Sequence, residues 1–118
     1  MNQLNTLNIV RGDDKRFVVT FKDANDVAID VSGWKLYFTV KENLTDSDDN
    51  AKIKIDVTVE SGEGTNGEIT IHVEPSDTED LDVGKYYYDI QAKKDDGEIF
   101  TPLTGEFLIN IDVTRRST

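Results

Sequence analysis

The fold class this sequence predicts is an all-β sandwich of seven to eight short strands with one short helical turn, and three observations predict it. Runs of alternating apolar and polar residues recur along the chain, the period-two signature of half-buried strands. Turn clusters of Gly, Asp, Asn and Ser separate those runs, and neither a heptad pattern nor an internal repeat appears. The stretch Asp82-Val83-Gly84-Lys85-Tyr86-Tyr87-Tyr88-Asp89-Ile90 reads as a sharp corner leading into a central strand, with Gly84 allowing the bend. One domain is expected, 1–118, with a short polar tail after about residue 114.

Leu4, Leu7, Ile9 and Val10 give a short first strand that ends at Arg11-Gly12-Asp13. Phe17, Val19 and Phe21 then alternate with Val18, Thr20 and Lys22, and Asp23-Ala24-Asn25-Asp26 turns the chain. Ile29 and Val31 flank Asp30 before Ser32-Gly33 breaks the run. Trp34, Leu36, Phe38 and Val40 form the inward face of the next strand, with Trp34 the largest expected core side chain. The segment from Asn43 to Asn50 is acidic and irregular, an expected loop. Ile53, Ile55, Val57 and Val59 alternate without error, Ser61 to Gly67 turns the chain, and Ile69, Ile71 and Val73 return it, which predicts a β-hairpin.

Ser76, with Glu79 three residues on, reads as a capping box for one helical turn crossing between sheets, with Leu81 beneath it. Tyr86, Tyr88, Ile90 and Ala92 point inward along the next strand, and Lys94-Asp95-Asp96-Gly97 closes a hairpin. The last strand, with Phe107, Ile109, Ile111 and Val113 inward, is entered past Pro102 and Gly105, which mark a bend or bulge near a sheet edge.

Composition narrows the function classes. Charged residues are 31% and hydrophobic ones 36%, so the chain is polar but globular. With no cysteine there is neither a disulfide framework nor a Cys-ligated metal site; stability rests on packing, which fits assembly in a reducing cytoplasm. A net charge of −11 argues against nucleic acid, which clustered Lys and Arg would bind, and against anionic membrane surfaces. No charged-then-apolar leader precedes the first strand and no apolar run reaches transmembrane length, so a soluble, unexported chain is expected.

Several short motifs resemble chemistry and have plainer readings. Gly62-Glu63-Gly64-Thr65-Asn66-Gly67 matches G-x-G-x-x-G, but a dinucleotide loop must open a helix and Glu68-Ile69-Thr70-Ile71 is a strand, so this run is a turn. Asp46-Ser47-Asp48-Asp49-Asn50 resembles the start of a calcium loop; Ala51 stands where Gly is needed and Val57 where a bidentate Glu belongs. A solvated loop fits that ligand count better than a weak cation contact. Arg11-Gly12-Asp13 sits at a strand junction where Gly serves the bend, and the sequon Asn43-Leu44-Thr45 matters only in a secreted chain. His72, the single histidine, lies on a polar face beside Thr70 and Glu74, with no nucleophile or orienting group placed beside it, so no enzyme is expected.

The run Asp82-x-Gly84-x-Tyr86-x-Tyr88 resembles the Asp-x-Ala/Gly-x-Tyr-x-Cys sequence that opens strand F of immunoglobulin domains, where a tyrosine hydroxyl bonds back to upstream backbone. Tyr86 takes the corner position in that resemblance, and Tyr88 stands where the disulfide cysteine sits. In immunoglobulin topology the strands beginning near Trp34, Tyr86 and Phe107 lie side by side, which puts Tyr37, Tyr87 and Leu108 on one solvent face. Grouped there they make a candidate protein interface; scattered singly they are ordinary sandwich surface. Tyr87 with Asp89 and Gln91 also gives a thin version of the aromatic-plus-amide surface that carbohydrate sites use.

Read whole, the chain resembles a family of small structural proteins and modules of tailed bacteriophages. The runs that carry the resemblance are Ile9-Val10-Arg11-Gly12-Asp13-Asp14, Phe21-Lys22-Asp23, Ala28-Ile29-Asp30-Val31-Ser32-Gly33, Gly84-Lys85-Tyr86-Tyr87-Tyr88-Asp89-Ile90-Gln91, Gly105-Glu106-Phe107 and Asp112-Val113-Thr114-Arg115. They span nearly the full length in order. The resemblance implies an immunoglobulin-like building block of the virion, of tail-tip, baseplate or fibre-attachment type, assembled in the host cytoplasm. Its partners would be other virion proteins and copies of itself, and it brings no catalytic residue, metal or cofactor. A capsid decoration or head-fibre protein is a first rival, and a carbohydrate- or receptor-binding module at the tail tip a second. The departures are Trp34, where an ordinary β-former is common, and the unusually acidic loop from Asn43 to Asn50.

Overall fold

The computed structural model describes residues 3–4, 6–60 and 62–111. It is mainly β: a curled, half-barrel sheet of five strands beside a sheet of two. The elements in chain order are β1 (Gln3–Leu4), β2 (Leu7–Val10), β3 (Lys15–Thr20), β4 (Lys35–Lys41), β5 (Ile53–Thr58), β6 (Glu68–Val73), α1 (Pro75–Thr78), β7 (Gly84–Lys93) and β8 (Ile99–Asn110), with a 3₁₀ turn at Asp48–Asn50. β1 and β2 run parallel to β8 at one register, Gln3 opposite Leu103 and Leu7 opposite Phe107, so they are two pieces of one interrupted strand. The large sheet has the order β1/β2-β8-β7-β4-β5, and β3 pairs antiparallel with β6.

Alternation decides the faces. Leu36, Phe38 and Val40 of β4, and Tyr86, Tyr88, Ile90 and Ala92 of β7, are all buried, and Phe107 and Ile109 of β8 join them. Val19, Ile69, Ile71 and Val73 of the small sheet belong to the same core cluster, so the two sheets share one core. Trp34 precedes β4 rather than lying in it, and it is buried edge-on against Phe21 and Phe100 at centroid distances of 5.2 and 5.9 Å. Ile111 departs from the expected inward set: it lies past the end of β8 and is 61% exposed. Val113 and the tail after 114 fall outside the described residues, as does the side chain of Leu4.

The turns account for the rest. The hairpin at Lys94–Gly97 forms as expected, the Lys94 N–H reaching the Glu98 carbonyl at 2.8 Å. The register between β7 and β8 shifts between Ile90 and Ala92, opposite Leu103 and Phe100, so the expected bulge sits at Pro102. The predicted hairpin of β5 and β6 does not form. β5 pairs with β4 and β6 with β3, and the connection crosses between the sheets. It is held there because Val31 donates to the Gly64 carbonyl at 3.1 Å and Phe21 to the Gly67 carbonyl at 2.8 Å. Gly67 has φ +78°, and a Cβ there would lie 2.5 Å from the Phe21 carbonyl oxygen, so this G-x-G-x-x-G run is packed against backbone and leads into a strand.

α1 crosses from the small sheet to the large one, but its cap is Glu74, not Ser76: the Glu74 N–H donates to Asp77 Oδ2 at 2.8 Å and Pro75 takes the first helical position. Thr78 is fully buried, and its Oγ1 accepts the Gly12 N–H at 2.8 Å. Arg11 donates to the Leu81 carbonyl at 3.3 Å. The Arg-Gly-Asp run is therefore built into the junction between β2 and the corner. Among the described residues no helix is long and apolar enough to cross a membrane.

Candidate docking face

The corner before β7 fixes what the outer face presents. Tyr86 donates its hydroxyl to the Asp82 carbonyl at 2.7 Å, closing the turn four residues upstream. Burial, helped by Asp82 and Glu42, pushes the Tyr86 phenol upward from its usual pKa, and burial alone does the same to Tyr88. Both rings are anchored inward, so Lys85, Tyr87, Asp89, Gln91 and Lys93 must point outward.

β8, β7 and β4 lie side by side, as the expected placement of Tyr37, Tyr87 and Leu108 required. Tyr37 stands opposite Gln91 on β7 and Asp56 on β5; Tyr87 opposite Lys41 and Glu106; Leu108 opposite Lys85. All three are half-buried on one face. They do not form one aromatic cluster. Lys41 is four positions along β4 from Tyr37, which separates the two tyrosines by about 13 Å. Thr39 and Asp89 fill the gap, paired across the strands.

Two shallow hollows result. Tyr87 lines one with Lys41, Leu44 and Thr104, Tyr37 lines the other with Lys54, Asp56 and Gln91, and Thr39 and Asp89 belong to both. Leu108 lines neither hollow and sits toward β2, opposite Asn8. Sequence reasoning missed Leu44, a loop residue 73% exposed, and Lys41 and Asp48, which join at 2.8 Å. That ion pair folds part of the acidic loop back over the sheet. The Asp48 hydrogen bond raises the Lys41 pKa, and Lys41 holds Asp48 below the usual carboxylate range. Burial raises the Asp89 pKa; Lys41 opposes that shift and Asp48 adds to it.

The charge of this face differs from that of the chain. Lys35, Lys41, Lys54, Lys85 and Lys93 slightly outnumber Asp48, Asp56, Asp89 and Glu106 here, although the net charge is −11. Most of the other acids among the described residues lie in the connecting segments. His72 lies on the small sheet instead, in contact with Asp14 and 3.9 Å from Glu74. Among the described residues no group of three or more His, Asp or Glu side chains is arranged to hold a metal ion. What the face offers is polar and aromatic surface carried on paired strands.

No protein-family model matches the sequence, and no curated protein matches it. Among solved structures the fold is similar to the N-terminal domain of phage TP901-1 ORF48, with a TM-score of 0.54 over 90% of this chain and 85% of that one, at 13% sequence identity.

Proposed function

We propose that this chain is a non-enzymatic structural component of a bacteriophage particle, of tail, baseplate or fibre-attachment type, docking to other virion proteins. The observation that carries this reading is the fold likeness to a domain of a phage protein over 90% of the chain. It joins the resemblance of the sequence, run by run, to tailed-phage structural proteins. The strand order β2-β8-β7-β4-β5, the β3–β6 pair and the Tyr86–Asp82 bond together support reading residues 1–118 as one immunoglobulin-like sandwich domain. The docking surface in this reading is the outer face of the large sheet, with Tyr37, Tyr87 and Leu108 as apolar contacts. Its weakly basic balance favours an acidic neighbour.

Two measurements test it. An electron-microscopy map of the phage particle should hold density for this chain in the tail region. Tyr87→Ala should reduce its incorporation while leaving the melting temperature nearly unchanged. Density in the head instead favours a capsid decoration or head-fibre protein, and wild-type incorporation of the variant overturns the docking face. A second reading, carbohydrate binding at the tail tip, draws on the two tyrosines flanking Asp89 and Gln91 over adjoining hollows. A glycan array without hits removes it.

A further inference from the structure

β5 ends the hydrogen-bonded order of the large sheet, with β4 its one strand partner among the described residues. The Val59 N–H donates to the Trp34 carbonyl at 2.9 Å, and strand parity then turns the backbone groups of Ile53, Ile55 and Val57 toward β4. Those of Lys54, Asp56 and Thr58 face away, as an edge ladder with no strand partner among the described residues. The inner side of this edge is apolar and incompletely covered. Ile55 and Val57 are half-buried, while Phe38 and Leu36 opposite them on β4 are 1% and 0% exposed.

We propose that this edge pairs with itself: two copies of the chain join β5 to β5, antiparallel, about a two-fold axis through Ile55, so that one sheet runs across both. The register follows from two constraints. Backbone bonds across the axis require a residue whose groups face outward to meet another of the same kind, which excludes any shift by one position. Charge then selects among the remaining registers. With the axis at Ile55, Lys54 meets the second copy's Asp56 and Asp56 meets its Lys54, two opposite-charge pairs on the outer side. Ile53 meets Val57 on the inner side and covers the exposed apolar flank. Moving the axis to Asp56 sets Asp against Asp, and moving it to Lys54 sets Lys against Lys. The contact is isologous and small, one strand wide, so the dimer is weak and forms at high protein concentration.

The pairing is independent of the outer-face docking reading and is tested by sedimentation of the full chain at physiological salt, over two decades of concentration up to the millimolar range. The weight-average mass should climb from 13.3 kDa toward twice that value. Lys54→Asp and Asp56→Lys, each at an exposed position and each checked for folding by circular dichroism, should weaken association by about tenfold, because each sets like charges opposite one another. The double variant carrying both should recover it, and Tyr87→Ala should leave it unchanged. A mass that stays at 13.3 kDa throughout overturns the proposal. So do single variants that associate like the wild type, a double variant that fails to recover, or loss of association in Tyr87→Ala.

Discussion

β5 and β7 follow the same alternation, yet they occupy different positions in the molecule. β7 has β4 on one side and β8 on the other, and its four inward residues, Tyr86, Tyr88, Ile90 and Ala92, are all buried. β5 has β4 as its one hydrogen-bonded strand partner among the described residues, and of its inward set Ile53 is buried while Ile55 and Val57 are half-buried. A period-two pattern therefore states which side of a strand meets the core. The number of neighbours it has, and so how completely that side is covered, is a property of the assembled sheet.

The contrast can be broken by truncation. Tyr88→Ala in the paired strand should cost about 3–5 kcal/mol, since a large buried ring leaves a cavity its neighbours cannot close. Ile55→Ala in the edge strand should cost about 1–2 kcal/mol, because part of its surface is already in water. Chemical denaturation of both variants measures the difference, and equal losses would mean that β5 is covered as fully as β7.

Tyr86→Phe sharpens the comparison at the corner. It keeps the ring and removes the 2.7 Å bond to the Asp82 carbonyl, so a loss of about 1–2 kcal/mol is expected. No measurable loss would assign the corner's rigidity to packing alone. The smallest effect belongs to Asp89, outward on β7 beside Lys41. Its folded-state pKa is raised, chiefly by burial, so its protonated form favours the fold at low pH and that contribution is lost as pH rises through the raised value. Asp89→Asn should therefore stabilise the chain at neutral pH, by no more than about 0.5 kcal/mol after solvent screening, and the gain should vanish in acid. Melting temperatures of both forms across that range check the sign.

Much of the fold was legible because it is written locally. The inward residues of β4 and β7, the corner at Tyr86, the left-handed Gly97 and the bulge at Pro102 each depend on a few adjacent residues, and each forms where the pattern places it. Strand partnership was not legible. The alternating runs at Ile53–Val59 and Ile69–Val73 are joined by a glycine turn, which satisfies every local criterion for a hairpin. Bonds from Phe21 and Val31, more than thirty positions upstream, pull that turn across to the other sheet instead. The helical cap moved two residues because Pro75, unable to donate, fits the first helical position and leaves Glu74 as the cap. On the candidate face, the shared side of Tyr37, Tyr87 and Leu108 follows from strand parity. Their separation, and the Lys41–Asp48 pair that folds the acidic loop inward, follow from inter-strand register and a loop conformation that no periodicity encodes.

The parallel pairing of β2 with β8 has a mechanical consequence. The chain enters this pair at Gln3, beside Leu103, and leaves it beyond Asn110, beside Val10, so it joins and quits the pair at opposite poles. Tension along the chain would drag these strands past each other lengthwise, loading their hydrogen bonds simultaneously instead of unzipping them one after another. Under such a load the domain would resist stretching best along the line of these two strands.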